Sequence, residues 1–369
     1  MMEQPIRILQ VVTYMGRGGL ETMLMNYYRH MDRDKVQFDF LTHRAFRGDY
    51  DDEIEALGGR IYRLPRLNPW SGSYRRALDA FFAEHAQYRI VHVHQDCMSA
   101  VILKAAKKWG VPVRIAHSHN SDQEKNFKYP IKLFYKRRIP HYATALFACG
   151  RDAGDWMFGG APYRIVPNAI DTAQYVYCSR RAAEMRARLG IPPDAFVVGH
   201  VGRFQHVKNH SFLLDIFGEV VKTQENARLL LVGDGDLRQK TEEKAAALGL
   251  AEKVMFTGVR NDVPDLLQAM DCFVFPSLFE GIPVALMEAQ ASGLPCVVSD
   301  GVPADCRISR HFERLALAQS PEIWALRILA SPAGLRRDGG REIGNAGYDI
   351  ASNARWLQGY YLDQWKKEV

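Results

Sequence analysis

Short runs of β-branched and aromatic residues alternate with amphipathic stretches along the whole chain, and this alternation constrains the fold more than any other feature. IRILQVVT, VQFDFLTH, RIVHVHQ, VRIAHSH and TALFACG come first; FVVGHVG, ARLLLVGDG, KVMFTG, CFVFPS and PCVVSD follow after a break. Such spacing is what βαβ units produce, and βαβ units close parallel sheets. The pattern also starts twice. Residues 6–19 give a strand running into Gly16, Gly18 and Gly19, and residues 196–210 give a strand running into Gly202-Arg203 and then Lys208. Two Rossmann-like halves are expected, each opening with a strand and a loop suited to phosphate or a close backbone approach. At 369 residues the chain is long for one core, so two domains of similar weight with a cleft between them are expected.

VPNAIDTAQY and the charged SRRAAEMRARLGIPPDA separate the halves, which puts the linker near residues 170–180. The expected domains are 1–175, binding acceptor, and 176–348, binding donor. After Asp300 the strand signal fades and SPAGLRRDGG marks a loop, while ASNARWLQGYYLDQW carries a helical apolar stripe. Residues 349–369 are therefore expected to form a helix that packs back toward the N-terminal domain. Apolar residues at 47% and charged residues at 24% suit a globular enzyme and exclude a mainly disordered chain. No stretch approaches the ~20 apolar residues of a membrane span, and the N-terminus enters a β-like run at Ile6 without a long apolar leader. The six cysteines form no CxxC pair and read as reduced thiols, so a cytoplasmic location is expected. A net charge of +6 suits anionic substrates or an anionic lipid surface but is too modest to point to nucleic acid.

The segment SLFEGIPVALMEAQASGLPCVVSD, residues 277–300, is the most informative. Gly281 permits close backbone approach, Pro283 suits a first helical turn, and the helix predicted over 284–292 stops at Gly293. Glu280 then precedes the helix and Glu288 lies inside it. Amides at the helix start can bind phosphate, leaving the two carboxylates to accept hydrogen bonds from hydroxyls on either side. Taken alone, the pair reads equally well as an electrostatic cap and a solvated helix residue. In VVGHVGRFQHVKNH, Arg203 follows a strand-ending glycine and Lys208 opens the next helical run, a fork and a point charge able to neutralise a diphosphate without metal. Gly233, Asp234 and Gly235 make a tight turn at another strand exit, and Gly258 does so at a third.

In the first half, MGRGGLETML departs from a dinucleotide fingerprint because Glu21 replaces its third glycine, which would set a carboxylate near an incoming pyrophosphate. His92, His94, His117 and His119 gather at strand exits. Strand alternation is expected to turn two of the four into the core, with His117 the first choice for the cleft and His119 the second. With no carboxylate at suitable spacing, no metal site is expected. KNFKYPIKLFYKRR, residues 125–138, mixes basic and apolar residues in the manner of a segment resting on an anionic membrane face, or of a solvated surface helix.

Together, Gly18-Gly19-Leu20-Glu21, His117, Val166-Pro167-Asn168, Gly202-Arg203 with Lys208, Gly233-Asp234-Gly235, and Glu280 through Glu288 resemble the retaining family-4 glycosyltransferases of the two-Rossmann (GT-B) type. The likeness covers nearly the whole chain in motif order and is nearest to bacterial exopolysaccharide and capsule glycosyltransferases. It implies that Arg203 and Lys208 hold a diphosphate, Glu288 the ribose hydroxyls, and Glu280 with the backbone of Gly281, Ile282 and Pro283 the donor sugar. His117 would face the sugar, Gly18 and Gly19 would line the cleft, and Gly233, Gly235 and Gly258 would rim the nucleotide. The implied reaction transfers sugar from a nucleotide sugar, UDP-linked by expectation, to a saccharide or polyprenyl-linked saccharide at the inner membrane face. It needs no cofactor or metal. A sugar-nucleotide epimerase or hydrolase of the same fold and a silent nucleotide-sugar-binding subunit are the alternatives. GVPADCRISRHFERLALAQ departs from the family pattern.

Overall fold

The computed structural model describes residues 4–123, 127–331, 336 and 338–367. The chain divides into two compact units, Met1–Ala169 with Ile350–Val369, and Ile170–Asp349. In the first, strands β1 (Ile6–Val11), β2 (Val36–Thr42), β3 (Ile61–Arg63), β4 (Ile90–Val93), β5 (Val113–Ser118), β6 (Ala145–Ala148) and β7 (Arg164–Ile165) lie in the order β3-β2-β1-β4-β5-β6-β7. In the second, β8 (Val197–Val201), β9 (Arg228–Val232), β10 (Val254–Phe256), β11 (Cys272–Phe275), β12 (Cys296–Ser299) and β13 (Phe312–Leu315) lie in the order β10-β9-β8-β11-β12-β13. Every pairing is parallel. Each sheet thus grows outward from its first strand, then crosses back to that strand's other side. The reversal opens a crevice at the carboxyl ends of β1 and β4, and of β8 and β11, where α/β sheets bind ligands.

The doubly wound α/β fold expected from the sequence is the fold observed. Three strands escaped the sequence reading: β3, β7 and β13, each at a sheet edge. An edge strand is not buried on both faces, so IYR, RI and FERL carry exposed charged residues where the central strands carry continuous apolar runs. β13 also corrects the expectation that strands end near Asp300. The first domain, expected to run to residue 175, ends at Ala169, because residues 170–175 pack in the second unit. There Ile170 bridges Asp349, and its N–H donates to the Tyr348 carbonyl at 3.0 Å. The final helix, Ile350–Lys367, belongs to the first unit. Ile350, Ala354, Leu357 and Tyr361 form its buried stripe. Gln358 accepts the Asp32 N–H at 2.7 Å, and Trp356 meets Phe147 edge-on.

Backbone contact locks three loops at the carboxyl edge of the second sheet. Gly202 N–H donates to the Val232 carbonyl, Phe204 N–H to the Asp234 carbonyl, and Gly233 N–H to the Gly258 carbonyl, at 2.9, 3.0 and 2.9 Å. Gly233 has φ +135°, and a Cβ there would stand 2.2 Å from the Gly202 carbonyl oxygen. Only glycine permits both the dihedral and the approach. Gly233→Ala is expected to cost about 2–4 kcal/mol and to lower Tm by several degrees. Gly110→Ala is the control: φ is +73° there but no atom lies within 4 Å of the added Cβ, so a loss near 1 kcal/mol is expected. Equal Tm losses in thermal denaturation of the two variants contradict this account of the loop contact.

Candidate functional site

The crevice of the second unit is built from the loops leaving β8 and β11. The β11 exit is clamped on two sides, since Leu278 N–H donates to the Val207 carbonyl at 2.8 Å and Glu280 N–H to the Gly301 carbonyl at 3.0 Å. The Glu280 amide is therefore engaged by Gly301 in this conformation. Pro283 is the N-cap of the helix Val284–Ala291 rather than part of its first turn, and Gly281 and Ile282 form the approach to it. The first-turn amides give the helix start its anion-binding character.

Lys208 Nζ reaches across the crevice to Glu280 Oε1 at 2.6 Å, with side chains 20% and 11% exposed. The ammonium also lies 4.6 Å from the centre of the Phe275 ring, a desolvated cation held by a carboxylate and a π face. Arg203 is half-buried beside them, and burial lowers its pKa against the opposing pull of Asp236. Glu288, within the helix, is buried and accepts the Tyr175 hydroxyl at 2.7 Å on Oε1. Burial pushes its carboxyl up to about 7, with the Tyr175 bond pulling the other way. Gly202, Gly233 and Gly258 meet at the β8 exit through the backbone contacts described above, and a Cβ on Gly235 would stand 2.7 Å from the Phe204 carbonyl oxygen. The sequence-selected residues Arg203, Lys208, Glu280 and Glu288 thus all lie in the unit's carboxyl-edge loops or the helix that follows. Tyr175 was missed, because a tyrosine in a linker-like stretch carries no signal for a partner more than a hundred residues away.

In the first unit, Glu21 departs from the expectation. Its carboxylate folds back on its own helix, Gly19–Arg29, and takes hydrogen bonds from the amides of Glu21 and Gly18. Glu21 thus supplies only the N3 half of a capping box, with Gly18 as N-cap, and burial pushes the carboxyl to about 7. A Cβ on Gly18 would stand 2.3 Å from Glu21 Oε2, whereas one on Gly19 would meet nothing within 4 Å. A side chain at Gly18 would therefore push the Glu21 carboxylate off the cap, whereas Gly19 leaves open space.

All four histidines share one face of the sheet, which corrects the expected split. Residues two apart on a strand point the same way, and β4 pairs β5 with His92 opposite Ile115, which sets His94 level with His117. His92, His94 and His117 are buried, and the His117 and His119 rings lie 4.1 Å apart. Asp96, also missed, lies three residues beyond the end of β4 with φ +52°, a left-handed conformation unusual for a side-chain-bearing residue. Its Oδ2 accepts Gln123 Nε2 at 2.5 Å and Asn120 Nδ2 at 3.2 Å, and burial raises its pKa. The HQD run at a strand exit on the reversal was the available signal.

Of the basic stretch, residues 125 and 126 lie outside the described residues. The helix Tyr129–Lys136 within it buries no residue, and Phe127 and Phe134 are 83% and 50% exposed. Among the described residues no helix is long and apolar enough to cross a membrane. A cavity of about 510 Å³ opens at the opposite, amino edge of the second sheet, beside Pro193, Asp271 and Pro295. Arg336 there donates to the carbonyls of Leu267, Gln268 and Met270, so its fork is spent on a helix end.

Residues 17–174 match the Glycosyltransferase Family 4 domain and residues 182–328 the Glycosyl transferases group 1 domain. EpsF of Bacillus subtilis, whose name assigns it to the glycosyltransferases, is 39% identical over 96% of this chain and 96% of its own. The UDP-Gal:alpha-D-GlcNAc-diphosphoundecaprenol alpha-1,3-galactosyltransferase of Escherichia coli is 27% identical over 62% of each chain. The structure of Anabaena HepE in complex with UDP-glucose aligns with a TM-score of 0.79 at 18% identity, covering 97% of this chain and 99% of that one.

The Glu288 carboxyl yields a stability prediction. Its folded pKa is raised, so between the unfolded value near 4.5 and about 7 the fold holds a proton that the unfolded chain releases. Stability is therefore lost as pH rises through that window. Glu288→Gln keeps the Tyr175 bond and removes the penalty, so its unfolding free energy should gain on the wild type from pH 5 to pH 8 by on the order of 3 kcal/mol, with a matching rise in Tm. A Tm difference independent of pH contradicts the buried carboxyl.

Proposed function

Because the chain belongs to the glycosyltransferases that join a family 4 domain to a group 1 domain, we propose that it moves a sugar from a UDP-sugar to a saccharide or polyprenyl-linked saccharide, with retained anomeric configuration and no metal at the diphosphate. The observation that carries this reading is the Lys208–Glu280 pair at the strand-order reversal, with Arg203 beside it. An incoming diphosphate competes with Glu280 for the Lys208 ammonium. Glu280 is then released to accept hydroxyls of the donor sugar, while Arg203 and Lys208 neutralise the phosphates. Glu288 takes the ribose hydroxyls, with Tyr175 fixing its other oxygen. His117 and the Gly18–Gly19 backbone are assigned to substrate binding from the N-terminal unit.

In the transfer step the bond from the anomeric carbon to the β-phosphate oxygen breaks, and its electron pair stays on the diphosphate. The acceptor hydroxyl attacks from the same face and gives its proton to the departing phosphate oxygen, so no protein side chain needs to serve as base. The acceptor class is supported by the E. coli relative, whose name specifies a diphosphoundecaprenol-linked sugar, and the donor class by that relative's UDP-Gal. The exposed Phe127 and Phe134 among Lys128, Lys136, Arg137 and Arg138 favour contact with an anionic membrane surface, and this reading places the enzyme at the inner face.

The test is transfer from UDP-sugars to a lipid-linked saccharide, with the anomeric coupling of the product read by NMR. Acceptor-dependent product of unchanged configuration is expected; inversion, or UDP release indifferent to acceptor, overturns the proposal. Glu288→Ala should weaken UDP binding about tenfold or more, while Glu280→Ala should lower kcat about a hundredfold with a smaller effect on UDP affinity. Negligible effects of both contradict the division of roles.

A further inference from the structure

His200 takes no part in the donor contacts described above, yet it lies where the second sheet reverses its order. β8 keeps its register with β9 through Val201 opposite Val232, but its register with β11 ends at Gly199 opposite Phe273. One residue further His200 stands level with Val274, and there its ring takes the place of the backbone, with Nδ1 2.9 Å from the Val274 carbonyl oxygen. A carbonyl oxygen only accepts, so Nδ1 carries the proton and Nε2 presents a lone pair. Burial, helped by the Lys208 charge, pushes the ring down to about 4 against the pull of the Val274 bond, so it is neutral at pH 7.

The ring is packed as a spacer between the two strand exits. It stacks on Phe275 with centroids 5.2 Å apart and an interplanar angle of 24°, and lies parallel to Phe273 at 6.2 Å. His210, which opens the helix His210–Thr223, stands edge-on to it at 4.7 Å and is itself stacked on Phe204 at 4.1 Å. The Phe275 ring that supports His200 also supports the Lys208 ammonium. The Nε2 edge meets the donor loop: a Cβ on Gly202 would stand 2.9 Å from Nε2 and 3.5 Å from Cγ and Cδ of Lys208. Imidazole and lysine stem thus press on the same backbone. His200 Nε2 and both ring nitrogens of His210 are buried without a hydrogen-bond partner among the described residues. Phenylalanine would fill the space without stranded nitrogens, so what histidine adds at position 200 is the Nδ1–H donor.

We propose that His200 is a positioning residue of the donor crevice: its ring, anchored on the Val274 carbonyl, sets the gap between the β8 and β11 exits and with it the seat of Lys208. This role rests on the crevice taking a nucleotide-sugar diphosphate, as proposed above. His200 itself touches no reacting atom. It acts through Gly202 and Lys208 on one side and through Phe275, which leads into the Glu280 loop, on the other. Without the Nδ1 bond the Val274 carbonyl is left unpaired and the two exits are no longer held at a fixed separation. The phosphates then meet the ammonium out of place. Ground state and transition state lose this contact alike, so the loss falls on donor affinity rather than on turnover.

The test compares two partial replacements. His200→Asn sets its amide nitrogen where Nδ1 stands and keeps the Val274 bond without the ring, whereas His200→Phe keeps the ring without the donor. UDP affinity is read by calorimetry, donor KM and kcat by steady-state transfer, and the loop 202–208 by amide hydrogen exchange. Ile328→Val, a buried change in the helix Pro321–Leu329, is the control for lost stability. His200→Phe should weaken UDP about tenfold, raise donor KM about as much with kcat within about threefold, and speed exchange in the loop. His200→Asn should recover most of the affinity, and Ile328→Val should stay within about twofold of the wild type. A His200→Phe variant that binds UDP like the wild type, an Asn variant no better than it, or a control as weak as it overturns the proposal. Should the wild type bind no UDP, the donor assignment falls instead, and equal loop exchange in wild type and His200→Phe then overturns the positioning role by itself. Should His200→Phe not fold, Gly202→Ala replaces it, since the added methyl presses on Nε2. Pairing it with His200→Asn removes that contact and should restore affinity, and a double variant as weak as Gly202→Ala contradicts the proposal.

Discussion

The contact of Lys208 with Glu280 joins the two strands between which the second sheet reverses its order, and the remaining features of the site follow from that position. A half-buried ion pair contributes little net stability, because desolvation offsets most of its Coulomb attraction. Its value is geometric. It fixes an ammonium and a carboxylate at a helix start before any ligand arrives, and the backbone clamps on Leu278, Glu280 and the glycine turns keep the loops from relaxing around it. A cradle held in this way loses little conformational entropy on binding an anion.

Both units place titratable groups where water is scarce. Glu21 and Glu288 are each pushed to about 7 by burial, but their surroundings differ. Glu21 is consumed by the cap of its own helix, whereas Glu288 has one oxygen committed to Tyr175 beside the crevice. The histidines of the first unit follow the same physics with opposite sign, since desolvation disfavours their charged form and leaves neutral donors and acceptors.

The architecture was legible because a doubly wound sheet needs apolar central strands separated by helices, and those runs can be read directly. Edge strands are half-solvated, so β3, β7 and β13 looked like loop. Gly202, Arg203, Lys208, Gly233, Glu280 and Glu288 were legible because strand exits and helix starts mark themselves with glycine, proline and charge. Contacts that depend on register or on distant packing were not. Nothing local pairs Tyr175 with Glu288, levels His94 with His117, or turns Glu21 back onto Gly18. Such facts arise from the sheet, and the sequence carries them only through the fold.

The most direct test of the proposed metal-free diphosphate cradle is a calorimetric titration of UDP in chelator and again in Mg²⁺, on the wild type and on Arg203→Gln and Lys208→Gln. The account predicts one Kd for the wild type in both buffers and a weakening of about tenfold or more in each variant. Binding that appears only with Mg²⁺, or that is unchanged in the variants, would contradict it.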